Sequence, residues 1–411
     1  MNPNPSQTAS FLDSFLPSAW RQTPAPKTET APTSGLEFTR LVEVLASPSG
    51  DRNRLSSLGL TQAALWGDTV VFWGQTLATT AIYCADWHAV KTAVSAHQSV
   101  PGGSAPIAHF GAAPAFDGPT KVLFCGQTQV GQNAIFQADL TAGADAAGAV
   151  EGGQAVKPLL LTEQPILAND DGFINFSNPS VQAGKIAFLG RLMSDQQKGI
   201  FSYVDGALQM ITRQSGADCP TPFADLGRPA IDGETGHVVF RAHDSHYQMG
   251  LYHSVDGELS PFATAQTSIP DGIGTFTSFG DPLVASGQVI FCGRGNVFQQ
   301  GLYRLTADGL EALVNTQTRI PDSLETFARF HAFSVEGEAV AFLAGDSHGH
   351  LGLFILRKDE LIKVIGVGDI LEDKPIRNLM LGHYGLHGQG LAFRVRFVDG
   401  SEGIYRVDWG K

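Results

Sequence analysis

A repeat of about 51 residues constrains the fold of this sequence more than any other feature. Seven segments join a small residue to Ile or Leu and then to an aromatic residue, and these aromatic residues are Tyr83, Phe136, Phe201, Tyr252, Tyr303, Phe354 and Tyr405. Their separations are 53, 65, 51, 51, 51 and 51 residues. A second landmark keeps the same register at Phe72, Phe124, Phe188, Phe240, Phe291, Phe342 and Phe393. The one long interval contains an Ala/Gly-rich insertion at residues 141–155, so seven similar units are predicted.

Each unit is predicted to contain four short strands. In the fifth repeat, residues 275–279, 287–291, 301–305 and 310–315 are rich in β-branched and aromatic residues, and turn residues such as Gly280-Asp281-Pro282 separate them. The apolar period of a helical solenoid is lacking. The predicted fold is therefore all-β: a seven-bladed β-propeller of four-stranded antiparallel blades.

The two ends of the repeat region are predicted to form one blade. The seventh repeat stops after its third strand, at residues 403–409, and residues 35–42 resemble the fourth strand of the fifth repeat. We expect this N-terminal strand to complete the last blade, because closure removes open sheet edges. The propeller is thus assigned to residues 35–411.

Residues 1–34 are predicted to be a flexible tail outside the ring. Apolar residues with a spacing that fits one face of a short helix are Phe11, Leu12, Phe15, Leu16 and Trp20. A Pro/Thr-rich linker follows at residues 22–34. Two interpretations stay open: a docking peptide for another protein, or a tail that is poorly ordered or packs on the propeller.

Composition excludes several functional classes. There are 27 Lys and Arg residues against 40 Asp and Glu residues, so the formal charge is 27 − 40 = −13, which argues against a nucleic-acid-binding surface. No window of 18 apolar residues predicts a membrane span. The N-terminus does not show the pattern of a secretory signal, and none of the four Cys residues lies in a C-x-x-C pair. These features favour a cytoplasmic over an extracellular location.

Acidic residues recur where the chain passes from one predicted blade to the next. They are Asp171, Asp271, Asp322 and Asp373, each placed just before an innermost strand. Converging at the mouth of the central channel, they could bind a hard cation such as Ca²⁺. The alternative is turn chemistry, because Pro-Asp-Gly is a favoured β-turn sequence.

Two loops share an Asp-Ser-His sequence in equivalent positions of blades four and six. The candidate residues are Asp244 and His246 in the first loop and Asp346 and His348 in the second, which continues as Gly349-His350. The histidines could ligate a transition metal with the aspartates as partners, or each pair could perform acid–base chemistry. Solvated loop histidines are the alternative.

The repeats resemble those of a bacterial tandem-repeat family, recognised by units running N-x-x-G-x-x-A-F and ending in Gly-Ile-Tyr. The matching stretches are residues 184–188, 267–279, 316–322 and 399–405, and the resemblance covers about residues 36–411. It implies a propeller and carries over no catalytic residues, because none is established for the family. Many members look exported and surface-anchored, whereas this sequence shows neither a signal nor a C-terminal anchor.

The sequence contains no G-x-S-x-G elbow, P-loop or H-E-x-x-H motif. We therefore expect a non-enzymatic propeller that serves as a protein-interaction or structural module of a larger assembly, docked through its N-terminal segment or its loops, and needing no cofactor. The alternative is a ligand- or glycan-binding (or glycan-processing) propeller with a cation-assisted site at the channel mouth.

Overall fold

The computed structural model describes residues 36–45, 54–58, 63–100, 105–111, 113–141, 156–162, 171–214, 223–255, 257–306 and 309–409. The predicted tail, with Phe11, Leu12, Phe15, Leu16 and Trp20, lies outside the described residues. Strands, turns and loops make up the described part, which contains no helix. Accordingly, nothing in it is a helix with the length and apolarity needed to span a bilayer.

The described strands form seven antiparallel blades. Blade one contains β2 (Leu55–Ser57), β3 (Ala64–Trp66), β4 (Thr69–Thr76), β5 (Thr80–Ala85) and β6 (Val90–Ser95). Blade two contains β7 (Ile107–Phe110), β8 (Ala115–Phe116), β9 (Lys121–Thr128), β10 (Asn133–Asp139) and β11 (Val156–Leu161). Blade three contains β12 (Phe173–Phe176), β13 (Ser180–Gln182), β14 (Lys185–Leu192), β15 (Lys198–Val204) and β16 (Ala207–Arg213). Blade four contains β17 (Phe223–Ile231), β18 (Val238–Asp244), β19 (Met249–Val255) and β20 (Glu258–Thr264).

The remaining blades follow the same order. Blade five contains β21 (Phe276–Phe279), β22 (Leu283–Ala285), β23 (Gln288–Gly295), β24 (Gln300–Thr306) and β25 (Gly309–Asn315). Blade six contains β26 (Arg329–Glu336), β27 (Ala339–Gly345), β28 (Leu351–Arg357) and β29 (Glu360–Gly366). Blade seven contains β30 (Ile370–Leu371), β31 (Lys374–Met380), β32 (Leu386–His387), β33 (Gly390–Phe397), β34 (Glu402–Asp408) and β1 (Glu37–Val44). The predicted seven-bladed β-propeller of four-stranded blades is confirmed.

The predicted ring closure is confirmed as well. Strand β1 pairs antiparallel with β34 from Glu37 opposite Asp408 to Val44 opposite Glu402. Its register shifts by one residue at Leu41, a β-bulge. In each of the other six blades, the pairing register of the fourth strand also shifts by one residue. The shift lies opposite the same place in the third strand, between the Ile or Leu and the aromatic residue that follows it. The N-terminal strand is thus equivalent to a fourth strand in detail, bulge included.

The two sequence landmarks meet inside every blade. Each landmark Phe on the second strand lies directly opposite the aromatic residue of the third strand, and the rings stack with centroids 5.3 to 6.2 Å apart. In blade six, Phe342 stacks on Phe354 at 5.5 Å, and Phe327 from the loop before the innermost strand meets Phe354 edge-on at 4.9 Å. The small residue before the aromatic follows from this packing, because a Cβ on Gly352 would lie 2.7 Å from Cζ of Phe354.

The innermost strand of blade five differs from the sequence prediction. Gly280-Asp281-Pro282 was predicted as the turn between the first and second strands, but β22 follows it and pairs with β23, as β21 does. The first strand is therefore one interrupted strand, and the chain reverses at Ser286-Gly287, where both residues have positive φ. Pro282 offers no amide for the sheet ladder, which accounts for a break in the strand at this point.

Removing the aromatic pair is expected to destabilise the propeller strongly. Phe354→Ala should lower the free energy of unfolding by about 3–5 kcal/mol, because it empties a site enclosed by Phe342 and Phe327. Phe298→Ala is the matched control, since that side chain is 95% exposed and its loss should change stability by less than about 0.5 kcal/mol. Urea unfolding followed by Trp fluorescence measures both, and equal effects would contradict this account of the core.

Candidate functional site

One face of the ring carries most of the variable loops. In an antiparallel four-stranded blade, the crossing to the next blade and the loop between the second and third strands leave from the same side; we call this side the loop face. Its two loop families contact each other. In blade five, Gln299 accepts a hydrogen bond from the amide of Ile273 and donates one to its carbonyl, both at 2.8 Å. In blade three, Ser194 donates to the carboxylate of Asp171 at 2.6 Å.

Three of the four acidic residues of the crossings occupy turn positions. Asp271 and Asp322 have φ of 52° and 59°, each follows a proline, and each is the third residue of a turn closed by an i to i+3 hydrogen bond. These are type II turns, whose third position requires positive φ. Asp373 has φ of 61° in the two-residue turn between β30 and β31.

The four acids stand in separate surroundings. Asp171 is buried, and one carboxylate oxygen accepts hydrogen bonds from the amides of Gly172 and Ser194 at 2.9 and 3.1 Å. Glu372, next to Asp373, accepts hydrogen bonds from Arg40 of β1 and the hydroxyl of Tyr405, which ties that turn to the rim of blade seven. Across the described residues, none of the four acids belongs to a group of three metal-ligating side chains. Cation binding by these acids stays a prediction.

The two Asp-Ser-His loops adopt the same local structure. In blade six, Oδ1 of Asp346 accepts hydrogen bonds from the amides of His348 and His350, both at 2.9 Å. In blade four, Oδ1 of Asp244 accepts from the amides of His246 and Gln248, at 2.8 and 2.9 Å. The aspartate therefore organises both loops, whatever else each loop does.

Only the blade-six loop also brings together three metal-ligating side chains. One ligand atom from each of Asp346, His348 and His350 lies within 4.8 Å of the other two, and this is the single such group found among the described residues. Oδ2 of Asp346 is 2.7 Å from Nδ1 of His350. Burial raises the pKa of the Asp346 carboxyl, but the hydrogen bonds from the ring and amide of His350 outweigh it, so the pKa is lowered overall.

His350 was quoted in the motif but was not singled out as a site residue from the sequence. Comparison of the two loop sequences could have identified it, because blade six has a second histidine, His350, where blade four has Gln248. His246 and Asp244 in blade four lie in a loop on a separate blade, and the structure does not bring them to the blade-six group.

Exposed apolar side chains concentrate on the loop face. Ten large apolar residues are exposed on its described loops: Leu45, Leu77, Val130, Met193, Tyr247, Ile273, Val297, Phe298, Leu324 and Val398. In the described loops of the opposite face, Trp87 is the one counterpart. The exposed apolar side chains of the described loops are therefore unevenly divided between the two faces.

The most exposed pair lies in a turn that disfavours it. Val297 and Phe298 are the central residues of the turn between β23 and β24, which is closed by a hydrogen bond from the Gln299 amide to the Asn296 carbonyl at 3.2 Å. Both have positive φ, 55° and 62°, the geometry of a type I′ turn. Asn-Gly is the favoured pair there, and a β-branched residue at positive φ is a clear outlier. This pair was not predicted as a site from the sequence, although two adjacent apolar residues break the polar pattern of a turn.

The central channel is spanned near the opposite face. The hydroxyl of Tyr384, from blade seven, accepts a hydrogen bond from the amide of Val181 in blade three at 3.1 Å, and its carbonyl accepts from the amide of Leu65 in blade one at 2.8 Å. Burial raises the pKa of the Tyr384 phenol, and burial together with Arg228 lowers the pKa of His383. Tyr384 therefore joins blade seven to blades one and three by hydrogen bonds.

Exchanging a crossing acid tests whether it is more than a turn residue. Asp322→Gly should leave the free energy of unfolding within about 0.5 kcal/mol of the wild type, because glycine tolerates the positive φ of this position. Asp322→Ala should cost about 1 kcal/mol, since its Cβ is strained there without the local hydrogen bonding of Asp. Thermal unfolding with and without Ca²⁺ measures this. A Ca²⁺-dependent stabilisation of the wild type that Asp322→Gly abolishes would show that turn chemistry is not the whole role.

Comparison with solved structures supports the propeller fold. A mutant puromycin hydrolase complexed with PGG matches with 14% identity and a TM-score of 0.51, over 86% of this chain and 51% of that chain. The β-propeller domain of the Trilobed protease from Pyrococcus furiosus matches with 14% identity and a TM-score of 0.43, over 74% and 83% of the two chains. A chain of the mitotic checkpoint complex matches with 11% identity and a TM-score of 0.40, over 94% and 98%. At 14% identity, the likeness to the puromycin hydrolase shows the fold alone.

No curated protein matches this sequence. A family model does: that of the family of unknown function DUF7453 matches residues 69–374, which is well over half of the chain. The match is consistent with the repeat family that the sequence resembles, whose motifs and bacterial origin stay predictions. The chain belongs to the DUF7453 family.

Proposed function

We propose that this propeller is a non-enzymatic module that binds a protein partner through its loop face. The observation that carries the proposal is the Val297–Phe298 turn, where two exposed apolar side chains are held at positive φ. A left-handed conformation costs a non-glycine residue roughly 1–2 kcal/mol, and the turn makes no use of these side chains in the core. Local strain of this kind is typical of functional surfaces.

Other loops of the same face also carry exposed apolar side chains. Leu324, in the crossing to blade six, is 88% exposed, and Ile273 in the crossing to blade five is held against Gln299 of the same turn region. An aromatic side chain surrounded by aliphatic neighbours is the usual core of a protein interface, with the polar rim around it. The partner is therefore expected to offer an apolar groove that receives Phe298.

The charge of the chain favours a different protein over a second copy. At −13, two copies repel each other at long range, whereas a partner with basic residues around its groove is attracted. The apolar residues of the N-terminal segment, Phe11, Leu12, Phe15, Leu16 and Trp20, are proposed as a second, tethered contact with the same assembly. A tethered second contact raises the effective concentration of the first.

A ligand-binding role is the second candidate, favoured by a cavity between blades two and three. The cavity has a volume of about 410 Å³ and is lined by residues such as Phe110, Cys125 and Asn178. This volume suits a small ligand or one sugar unit. Burial raises the pKa of Cys125 to about 12, so its thiol stays protonated and is a packing group rather than a nucleophile.

A double substitution separates stability from docking. Val297→Asn with Phe298→Gly installs the residue pair that a type I′ turn favours, and it should raise the free energy of unfolding by about 1 kcal/mol while weakening partner binding by about thirtyfold or more. Trp87→Ser on the opposite face is the control and should leave binding unchanged. Thermal unfolding and affinity capture with quantitative mass spectrometry read out the two effects, and sedimentation reports self-association.

The outcomes are distinct. A stabilised double variant that captures the same proteins as the wild type would overturn docking through this turn. Self-association lost only in the double variant would assign the face to a second copy. Loss of stability would contradict the strain argument.

Deleting residues 1–34 tests the tethered contact. The shortened protein should keep the unfolding temperature of the full chain, because the closing strand begins at Glu37 and stays intact. Its affinity for the captured partner should fall, and Phe15→Ser with Trp20→Ser in the full chain should reproduce the loss if the apolar side chains are responsible. Unchanged partner recovery from both variants would refute a docking role of the tail and leave the loop face unaffected.

A further inference from the structure

The blade-six loop forms a compact group of side chains that the docking proposal does not use. It consists of Asp346, His348 and His350, three residues spaced by two in the loop between β27 and β28. One ligand atom from each lies within 4.8 Å of the others. We propose that this loop binds a divalent transition metal ion of the Zn²⁺ class, with these three side chains as protein ligands.

The aspartate is fixed in place before any ion arrives. Its side chain is 10% exposed, and Oδ1 is held by the amides of His348 and His350 at 2.9 Å each. This leaves Oδ2 directed at the ring of His350, 2.7 Å from Nδ1. A fixed carboxylate loses little conformational freedom when it becomes a ligand.

The histidines need only small movements to reach a common ion. Their rings are nearly parallel, with centroids 5.9 Å apart, and both are exposed. In a tetrahedral site with bonds of 2.0–2.2 Å, ligand atoms lie about 3.4 Å apart. Rotation of the exposed rings can bring the ligand atoms to this spacing from 4.8 Å or less, since exposed rotamers exchange freely. If Nδ1 of His350 is the ligand atom, the ion replaces the proton that Nδ1 donates to Oδ2 of Asp346, and that proton is released to solvent.

The donor set decides which ions fit. Two imidazoles and one carboxylate suit Zn²⁺, Co²⁺, Ni²⁺ or Cu²⁺, whereas Ca²⁺ takes six to eight oxygen ligands, which this loop does not supply. Three protein ligands leave at least one coordination position for water or another donor. The site lies in the loop between the second and third strands, and none of the crossing acids considered for Ca²⁺ belongs to its group of side chains.

Blade four supplies a matched control within the same chain. Its loop has the same anchored aspartate, the same Ser–His step with Ser245 Oγ 3.4 Å from His246 Nδ1, and Gln248 in place of His350. In blade six the corresponding Ser347 Oγ to His348 Nδ1 distance is also 3.4 Å. The two loops therefore differ in one ligand: His350 gives the blade-six loop three metal-ligating side chains, whereas Gln248 leaves the blade-four loop with two.

The experiment counts metal ions bound to the full chain, free of any histidine tag and stripped with chelator. Zn²⁺ is titrated calorimetrically, and Co²⁺ absorption reports the coordination. The wild type should bind one ion per chain. His350→Gln, which copies blade four, should weaken binding by about tenfold or more without changing thermal unfolding of the metal-free protein. Gln248→His, which copies blade six, should raise the count to two.

Each result decides the proposal, which does not depend on docking through the loop face. Absence of Zn²⁺ and Co²⁺ binding by the wild type would overturn it, as would equal affinity of the wild type and His350→Gln. Displacement of bound Zn²⁺ by excess Ca²⁺ would contradict coordination by histidine nitrogen atoms. Asp346→Ala is not the decisive variant, because it also removes the hydrogen bonds that shape the loop.

Discussion

The pairing of β1 with β34 is the interaction on which the rest of this structure depends. In a propeller of seven repeats in sequence order, no strand pairing would join the first blade to the last. Here the chain begins the ring with a fourth strand, so hydrogen bonds from Glu37 through Val44 join the two ends of the described ring. Arg40 and Glu372 add an ion pair at 2.7 Å across the same blade. Both side chains are more than a third exposed, so this pair contributes little beside the strand pairing itself.

Closure by strand pairing frees the loops between the second and third strands from any part in holding the ring. The blades are stabilised from within by stacked rings such as Phe291 on Tyr303, with centroids 5.8 Å apart, and these contacts are made by strands two and three. Loops at the end of those strands are fixed at both ends yet carry no core side chains, so their central residues can vary without loss of the fold. Because the loops are not needed for the core, the loop between the second and third strands can carry Val297–Phe298 in blade five and His348–His350 in blade six.

The sequence predicts the framework well because packing imposes a period on it. Every blade needs two aromatic residues in register and a small residue under the second ring, and these demands recur seven times. The break at Gly280-Asp281-Pro282 was misjudged because a Gly-Asp-Pro sequence is compatible with both a reversal and an interruption of one strand. Only the pairing of both flanking segments with β23 distinguishes the two.

Site residues were harder to predict, because a loop sequence has no period that relates it to its surroundings. The Asp-Ser-His echo correctly identified two equivalent loops, yet an aspartate that accepts two amide hydrogen bonds is useful in either loop as a turn-forming group. Its presence in both therefore indicates structure, not chemistry. One position distinguishes the loops as metal ligands: it is Gln248 in blade four and His350 in blade six. The structure shows its importance, because Nδ1 of His350 lies 2.7 Å from Oδ2 of Asp346. A structural carboxylate, already buried and oriented, needs only nearby imidazoles to become a ligand, so a metal site can be built on this turn without disturbing the blade beneath it.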